Sequence, residues 1–136
     1  MMRTAKGDDR AAVLALWEAC GLTRPWNDAA ADFTRALQGT HSTILLDERD
    51  GRVVATVMVG DDGHRGWVYY LGVAPDHRGD GLGRTLMEAA EAWLRDRDAP
   101  KIQLMVRDDN EPAIGFYRAL GYEVQPVVTI GKRLDI

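Results

Sequence analysis

Arg78-Gly79-Asp80-Gly81-Leu82-Gly83-Arg84 follows an apolar run, Val68-Tyr69-Tyr70-Leu71-Gly72-Val73, and opens into a helical pattern that begins near Leu82. Three alternating glycines at a strand-to-helix junction leave no side chains between a ligand and the backbone. Successive N–H groups there can point at an anion, and the helix N-terminus adds roughly half a positive charge. Arg78 and Arg84 flank the loop with permanent charge and forked donors suited to phosphate. The spacing predicts a pyrophosphate cradle. It is not a dinucleotide fingerprint: the third glycine of G-x-G-x-x-G would fall on Arg84, and the strand about 20 positions on, Ile102-Gln103-Leu104, has no acidic residue. Nor is it a Walker A loop, since no Gly-Lys-Ser/Thr occurs. What fits is Arg-x-x-Gly-x-Gly, met by Arg78, Gly81 and Gly83. A turn that merely closes a strand–helix connection is the plainer alternative, and the two flanking arginines weigh against it.

The rest of the chain bounds what such a cradle can serve. At 136 residues it reads as one domain, 1–136, long enough to bury a substantial core. Its 46% apolar and 28% charged residues are those of a globular protein. A net charge of −4, with no basic run or basic helix face, argues against a nucleic-acid surface, so an anionic ligand must be held locally. The single cysteine, Cys20, excludes an intrachain disulfide and suits a reducing, cytoplasmic compartment. It lies on the stripe Val13, Leu16, Trp17, Cys20, as a buried thiol rather than a nucleophile. No signal peptide is visible, and runs such as Val53 to Val59 are too short to span a bilayer. His41, His64 and His77 lack metal-ligand spacing, so no metal site is expected.

Periodicity divides the chain into alternating elements. Met2 to Lys6 reads as a short strand. Asp8 or Asp9 caps a helix to about Cys20, stopped by Gly21, and Asn27 or Asp28 caps a second with Ala29, Phe33, Ala36 and Leu37 on its apolar face. Thr43 to Asp47 and Val53 to Val59 form a hairpin through Asp50-Gly51. A reversal at Asp61-Asp62-Gly63 precedes a strand from Gly66 to Val73. A helix from about Leu82 to Asp96 presents Leu82, Leu86, Ala89 and Trp93 inward. Lys101 to Val106 alternates as a strand should. Asn110 or Asp109 caps a last helix to about Leu120, ended by Gly121, and Tyr122 to Val124 with Val127 to Lys132 close the sheet. The order predicts an α+β or α/β domain with a mixed sheet.

The Arg78–Arg84 loop resembles the acyl-CoA loop of the GNAT family of N-acetyltransferases, and the element order matches that acyl-CoA N-acyltransferase fold across essentially the whole chain. The resemblance implies an α+β fold, an α/β three-layer sandwich with a mixed, mostly antiparallel central sheet flanked by helices. A second segment agrees. Asn110, Ala113, Tyr117, Gly121 and Tyr122 meet the family's N-x-x-A-x-x-x-Y-x-x-x-G-[FY] pattern. The resemblance implies that Asn110 contacts the pantetheine arm and that the Tyr117 hydroxyl lies near the thioester sulfur, although Tyr117 also reads as a core aromatic and Asn110 as a helix cap. It further implies a bulge in the strand Leu71-Gly72-Val73-Ala74-Pro75, whose freed backbone groups bind pantetheine as an added strand would, with Val73 the main-chain contact. The implied cofactor set is Leu71, Val73, Arg78, Gly79, Asp80, Gly81, Leu82, Gly83, Arg84, Asn110 and Tyr117. The implied acceptor set is Trp26, Asn27, Tyr69 and Tyr70, where Trp26 has a second reading as a hydrophobic staple for the second helix.

Other carboxylates are weaker candidates. Asp108-Asp109 reads as a turn and cap, and Asp61, Asp62 and His64 as a solvated hairpin that could take a proton through water. Ribosomal-protein N-terminal acetyltransferases of this family carry a glutamate base in an L-E-V-R context. Here that stretch is Leu104-Met105-Val106-Arg107, and Met105 cannot take a proton. Arg24-Pro25-Trp26-Asn27 with Asp62-Gly63-His64-Arg65-Gly66 looks most like the small bacterial YpeA-type branch. The resemblance thus implies a bacterial, acetyl-CoA-dependent N-acetyltransferase with Tyr117 as general acid. Its acceptor would be a small-molecule or peptide amine, and a homodimer is left open. An acetyl-CoA sensor without turnover is the alternative from another class, and a phosphate-binding domain unrelated to CoA is a third.

Overall fold

The hairpin that Asp50-Gly51 predicts is present: Asp50 and Gly51 sit at φ +51° and +75°, the doubly left-handed turn whose twist matches its strands. A computed structural model describes residues 1–135. They form two compact units, Met1–Met105 and 106–135. In the first, strands β1 (Met2–Thr4), β2 (Ser42–Arg49), β3 (Arg52–Asp61), β4 (Gly66–Val73) and β5 (Ile102–Gln103) stand in that order in one sheet. Pairs from β1 to β4 are antiparallel, and β5 joins β4 in parallel. Helices α1 (Arg10–Ala19) and α2 (Ala29–Leu37) precede β2, and α3 (Leu82–Arg95) connects β4 to β5.

Alternation along β3 assigns the helices to faces. Thr56 meets Trp17 of α1, whose indole N–H donates to its hydroxyl at 3.0 Å. Gly66 pairs with Asp61 on the opposite phase, and a Cβ there would lie 2.4 Å from Leu94 of α3. The sheet is therefore the middle of three layers, with α1 and α2 on one face and α3 on the other. Between them Trp17, Phe33, Ile44, Leu46, Val54, Val57, Val59, Leu86 and Met87 are fully buried.

Four local expectations need correction. The buried stripe of α3 is Leu82, Leu86, Met87, Ala90 and Leu94, while Ala89 and Trp93 are half-buried, because the helix rolls toward its Met87 edge. Asp9 starts α1 without a side-chain cap; its carboxylate instead accepts both Arg3 N–H donors at 2.8 Å and the Lys6 N–H at 2.8 Å. Strand β5 is two residues long, not six, because its partner β4 pairs only through Gly66 and Trp67. Finally, Tyr122 to Val124 and Val127 to Lys132 are not strands. Among the described residues they find no ladder, and Val124, Val127, Val128 and Ile130 stay exposed: β propensity without a partner edge does not make a strand.

In the second unit, α4 (Glu111–Ala119) has Asn110 as its N-cap, the side-chain oxygen accepting the Ala113 N–H at 3.2 Å. It ends at Gly121, φ +95°, where the Tyr122 N–H returns to the Tyr117 carbonyl at 3.0 Å. No helix of the described residues is long and apolar enough to cross a membrane.

Candidate functional site

Strand β4 changes phase in its middle. Met58 of β3 pairs with Tyr69, yet Thr56 pairs with Gly72, so Val57 alone faces both Tyr70 and Leu71. This is a bulge, and Tyr70 absorbs it at φ +53°, a conformation that disfavours a non-glycine residue by about 1–3 kcal/mol. The surroundings hold it there. The Thr56 hydroxyl donates to the Tyr70 carbonyl at 3.1 Å while accepting from Trp17, the Trp17 ring stacks on the Tyr70 ring at 3.8 Å, and the Tyr70 hydroxyl donates to Asp32 at 2.7 Å. Burial, then the Asp32 carboxylate, pushes the Tyr70 phenol up and keeps it protonated. The sequence pointed to Gly72 for the irregularity; Gly72 instead makes room for Leu22 and Cys20, which a Cβ would meet at 3.0 and 3.2 Å.

Past the bulge β4 offers unclaimed backbone. The Ala74 N–H bonds the Val54 carbonyl at 2.8 Å, so by antiparallel alternation Val73, opposite Ala55, directs its N–H and C=O away from β3. The β4–β5 ladder ends at Trp67 and Gln103, leaving that edge of β4 without β5 as a partner. The Val73 carbonyl accepts from the Cys20 thiol and from Arg78 Nε, each at 3.3 Å. Cys20 is thus engaged in holding α1 to the strand.

The strand delivers the chain to the glycine loop. Gly79 and Gly81 adopt φ +92° and +77°, and a Cβ on either would meet nothing within 4 Å. Helix α3 starts at Leu82 with Gly81 as N-cap, without a side-chain cap bond and without an acidic residue in its first turn. Its leading N–H groups and dipole are therefore available to an anion. Arg78 and Arg84 are exposed. Asp80 carries the one opposing charge of the loop, and its carboxylate lies 3.5 Å from His77 Nδ1. Open space above positive-φ glycines, an uncapped helix start and two arginines fit a pyrophosphate group.

On the α1/α2 face a cavity of about 510 Å³ is lined by Leu22, Asn27, Asp32, Arg35, Ala36, Ser42, Met58, Tyr69 and Tyr70. The bulge explains its aromatic wall, since two consecutive residues reach one face of a strand only where the pleat is broken. Asp32 accepts from Tyr70 on one oxygen and from Arg35 on the other, at 2.5 Å. Burial, then the charge of Asp62, raises the Tyr69 phenol. Asp62 is itself held low by the N–H groups of Arg65 and His64 and by the Trp67 indole, so it organises the turn between β3 and β4. In the second unit, the Tyr117 ring lies edge-on to Phe116 and Tyr122, with centroids at 5.0 and 5.8 Å, and burial lifts its phenol to about 12.

Comparison with known proteins decides the family. The model of the acetyltransferase (GNAT) family matches residues 11–122. An acetyltransferase of Pectobacterium atrosepticum is 48% identical over 133 residues, 98% of this chain and 94% of its own. One of Yersinia pestis is 46% identical over 135 residues, 99% of this chain and 96% of its own. The chain belongs to the GNAT family of acetyltransferases. Among solved structures, an aminoglycoside 6'-N-acetyltransferase bound to a CoA bisubstrate analogue superposes with a TM-score of 0.83 at 18% identity, covering 98% of this chain and 97% of that one. The ribosomal-protein-S18-alanine N-acetyltransferase of Escherichia coli gives 0.76 at 24% identity, over 89% of this chain and 76% of that one. At such identities these two show the shared fold.

The GNAT chain brings Leu71, Val73 and Arg78 to Arg84 into one continuous path, from bulge to strand end to helix start. Asn27, Tyr69 and Tyr70 meet in the cavity; Trp26 is 55% exposed and is not among its lining residues. Asn110 and Tyr117 share α4 in the other unit. Met105 is exposed, and Cys20 serves packing. No group of three or more metal-ligating side chains occurs among the described residues. Asp32, Arg35, Ser42 and Met58 were missed by sequence reasoning. The i, i+3 spacing of Asp32 and Arg35 on the polar side of α2 was a usable signal, but it also describes a solvated ion pair.

Proposed function

We propose that this GNAT acetyltransferase transfers an acetyl group from acetyl-CoA directly to a primary amine, with residues 1–136 acting as one functional domain in the cytoplasm. The observation that supports this most is the bulge at Tyr70, because it builds the cavity wall directly before the stretch of β4 that has no β5 partner. Acetyl-CoA, when bound, supplies an activated thioester. The backbone from Gly79 to Gly83 and the Arg78 and Arg84 side chains would hold its pyrophosphate, and the main chain at Leu71 and Val73 would hold its arm; the family resemblance adds the Asn110 amide as a further arm contact. The Tyr69–Tyr70 cavity takes the acceptor and orients its amine, and such positioning can lower a barrier by several kcal/mol.

Proton handling completes the reading. A phenol raised to about 12 stays protonated at neutral pH, so Tyr117 has a proton to give a departing thiolate. The carboxylates nearest the cavity are committed to hydrogen bonds, which suits an acceptor that enters with its amine already neutral. The test combines calorimetric titration of acetyl-CoA with thiol release across an amine panel. Binding accompanied by acceptor-dependent thiol release supports transfer. Tight binding with no turnover on any amine would leave a sensor.

A further inference from the structure

We infer that the acceptor is a small amine carrying a carboxylate, of free amino acid to dipeptide size, with Arg35 as the residue that selects it. This rests on the acetyl-transfer reading above. The cavity holds one carboxylate and one guanidinium, Asp32 and Arg35, so its lining has no surplus negative charge to hold a polycation. Both Asp32 oxygens already accept, from the Tyr70 hydroxyl and from Arg35. The other acidic side chains nearby are committed as well: Asp28 caps α2 through the Ala31 N–H, and Asp62 accepts from His64, Arg65 and Trp67. An ammonium group would have to share the Asp32 carboxylate with Tyr70 and Arg35 and would stand beside a fixed positive charge.

Arg35 is in the opposite condition. Among the described residues its hydrogen bonding is a single Nη2 donation to Asp32, which leaves most of its forked N–H donors unused at a cavity wall. Its side chain is 70% exposed, so the guanidinium stays open to an incoming ligand. A planar fork beside an empty space is matched by a carboxylate, which it can grip at two points. Met58, Leu22 and the two tyrosine rings supply apolar wall, and about 510 Å³ suits a small molecule in place of a folded protein surface. Asp32 holds the guanidinium in place, and the acceptor's hydrocarbon part packs on Tyr69.

The matched probes are phenylalanine and phenylalaninamide, which differ only in the carboxylate, with glycyl-phenylalanine, phosphoethanolamine and spermidine beside them. Thiol release and ligand-detected NMR are both read. The expected result is a kcat/KM for the carboxylated amines roughly tenfold or more above the amide and spermidine, one hydrogen-bonded charge pair's worth of discrimination. The amide has the less basic amine, so that order cannot come from amine reactivity. Arg35→Gln should collapse the ratio through KM, and Arg35→Lys should restore part of it. A phosphoethanolamine preference over the carboxylates, a spermidine preference, or equal rates for acid and amide would overturn the proposal while leaving acetyl transfer intact. Should no amine release thiol, NMR still decides: carboxylated amines that bind wild type and lose binding in Arg35→Gln sustain the acceptor class, and their failure to bind wild type ends it.

Discussion

Replacing Tyr117 with Phe keeps the ring and its contacts with Phe116 and Tyr122 and removes only the hydroxyl. With Tyr117 as the proton donor, kcat should fall roughly 10²- to 10⁴-fold while acetyl-CoA affinity stays nearly constant. Steady-state thiol release paired with a melting curve reads both, and a kcat within about threefold of wild type would return Tyr117 to a packing role. At the same scale, Thr56 is a single hydroxyl with two obligations, accepting from Trp17 and donating to the Tyr70 carbonyl. Thr56→Val conserves shape but leaves both partners buried and unpaired, a loss of about 1–3 kcal/mol. The denaturant midpoint should drop accordingly, and the acceptor KM should rise as Tyr70 loses its anchor. A midpoint shift with KM unchanged would mean that the bulge stands without the clamp.

Among the elements, the glycine loop is the one whose chemistry can be tested alone. Gly81→Glu places a carboxylate in space that the free protein leaves open, at a φ of +77° that a side chain tolerates poorly. Calorimetry should show acetyl-CoA binding lost. Wild type at a hundredfold excess over Kd should gain about 2.7 kcal/mol, worth roughly 10 °C in Tm, and the mutant none. A folded mutant that still gains that Tm would refute the cradle. This loop was legible in sequence because glycine spacing at a strand–helix junction is local, and so was the Asp50-Gly51 hairpin. The bulge was legible only as an implied irregularity: its position depends on Thr56 and Trp17, which lie far from Tyr70 in sequence. The cavity beside the two tyrosines was half legible for the same reason. Asn27, Tyr69 and Tyr70 were in view, but Arg35 and Ser42 join them only once α2 packs on β2. The closing strands failed because Val127, Val128 and Ile130 carry strand propensity, and propensity does not supply a partner.

For the molecule as a whole, pH stability has an identifiable clasp. Arg3 of β1 and Asp9 at the start of α1 form a two-point ion pair, and that bonding lowers the Asp9 carboxyl to about 2. A depressed folded value means that the stabilisation is complete above the unfolded carboxyl pKa of about 4 and is lost as pH falls toward 2. Melting curves of wild type and Asp9→Asn should differ by a constant amount above about pH 5 and converge between pH 4 and 2. A gap that persists at pH 2 would locate the effect in packing instead. An acidic chain of net charge −4 that binds an anionic cofactor must also concentrate its attraction in the stretch from Arg78 to Arg84.

The extra residue in β4 acts as a phase inverter. Upstream of it Gly66 and Val68 point toward α3, downstream Gly72 points toward α1, and Tyr69 and Tyr70 are the pair caught at the inversion. Length, more than side-chain identity, is thus the quantity that stretch must preserve. Removing Leu71 would let the pleat run uninterrupted and send Tyr70, opposite Val57, to the α3 side, while Val73 keeps its place opposite Ala55. The cavity would lose one of its two tyrosines through a change that alters no residue lining it.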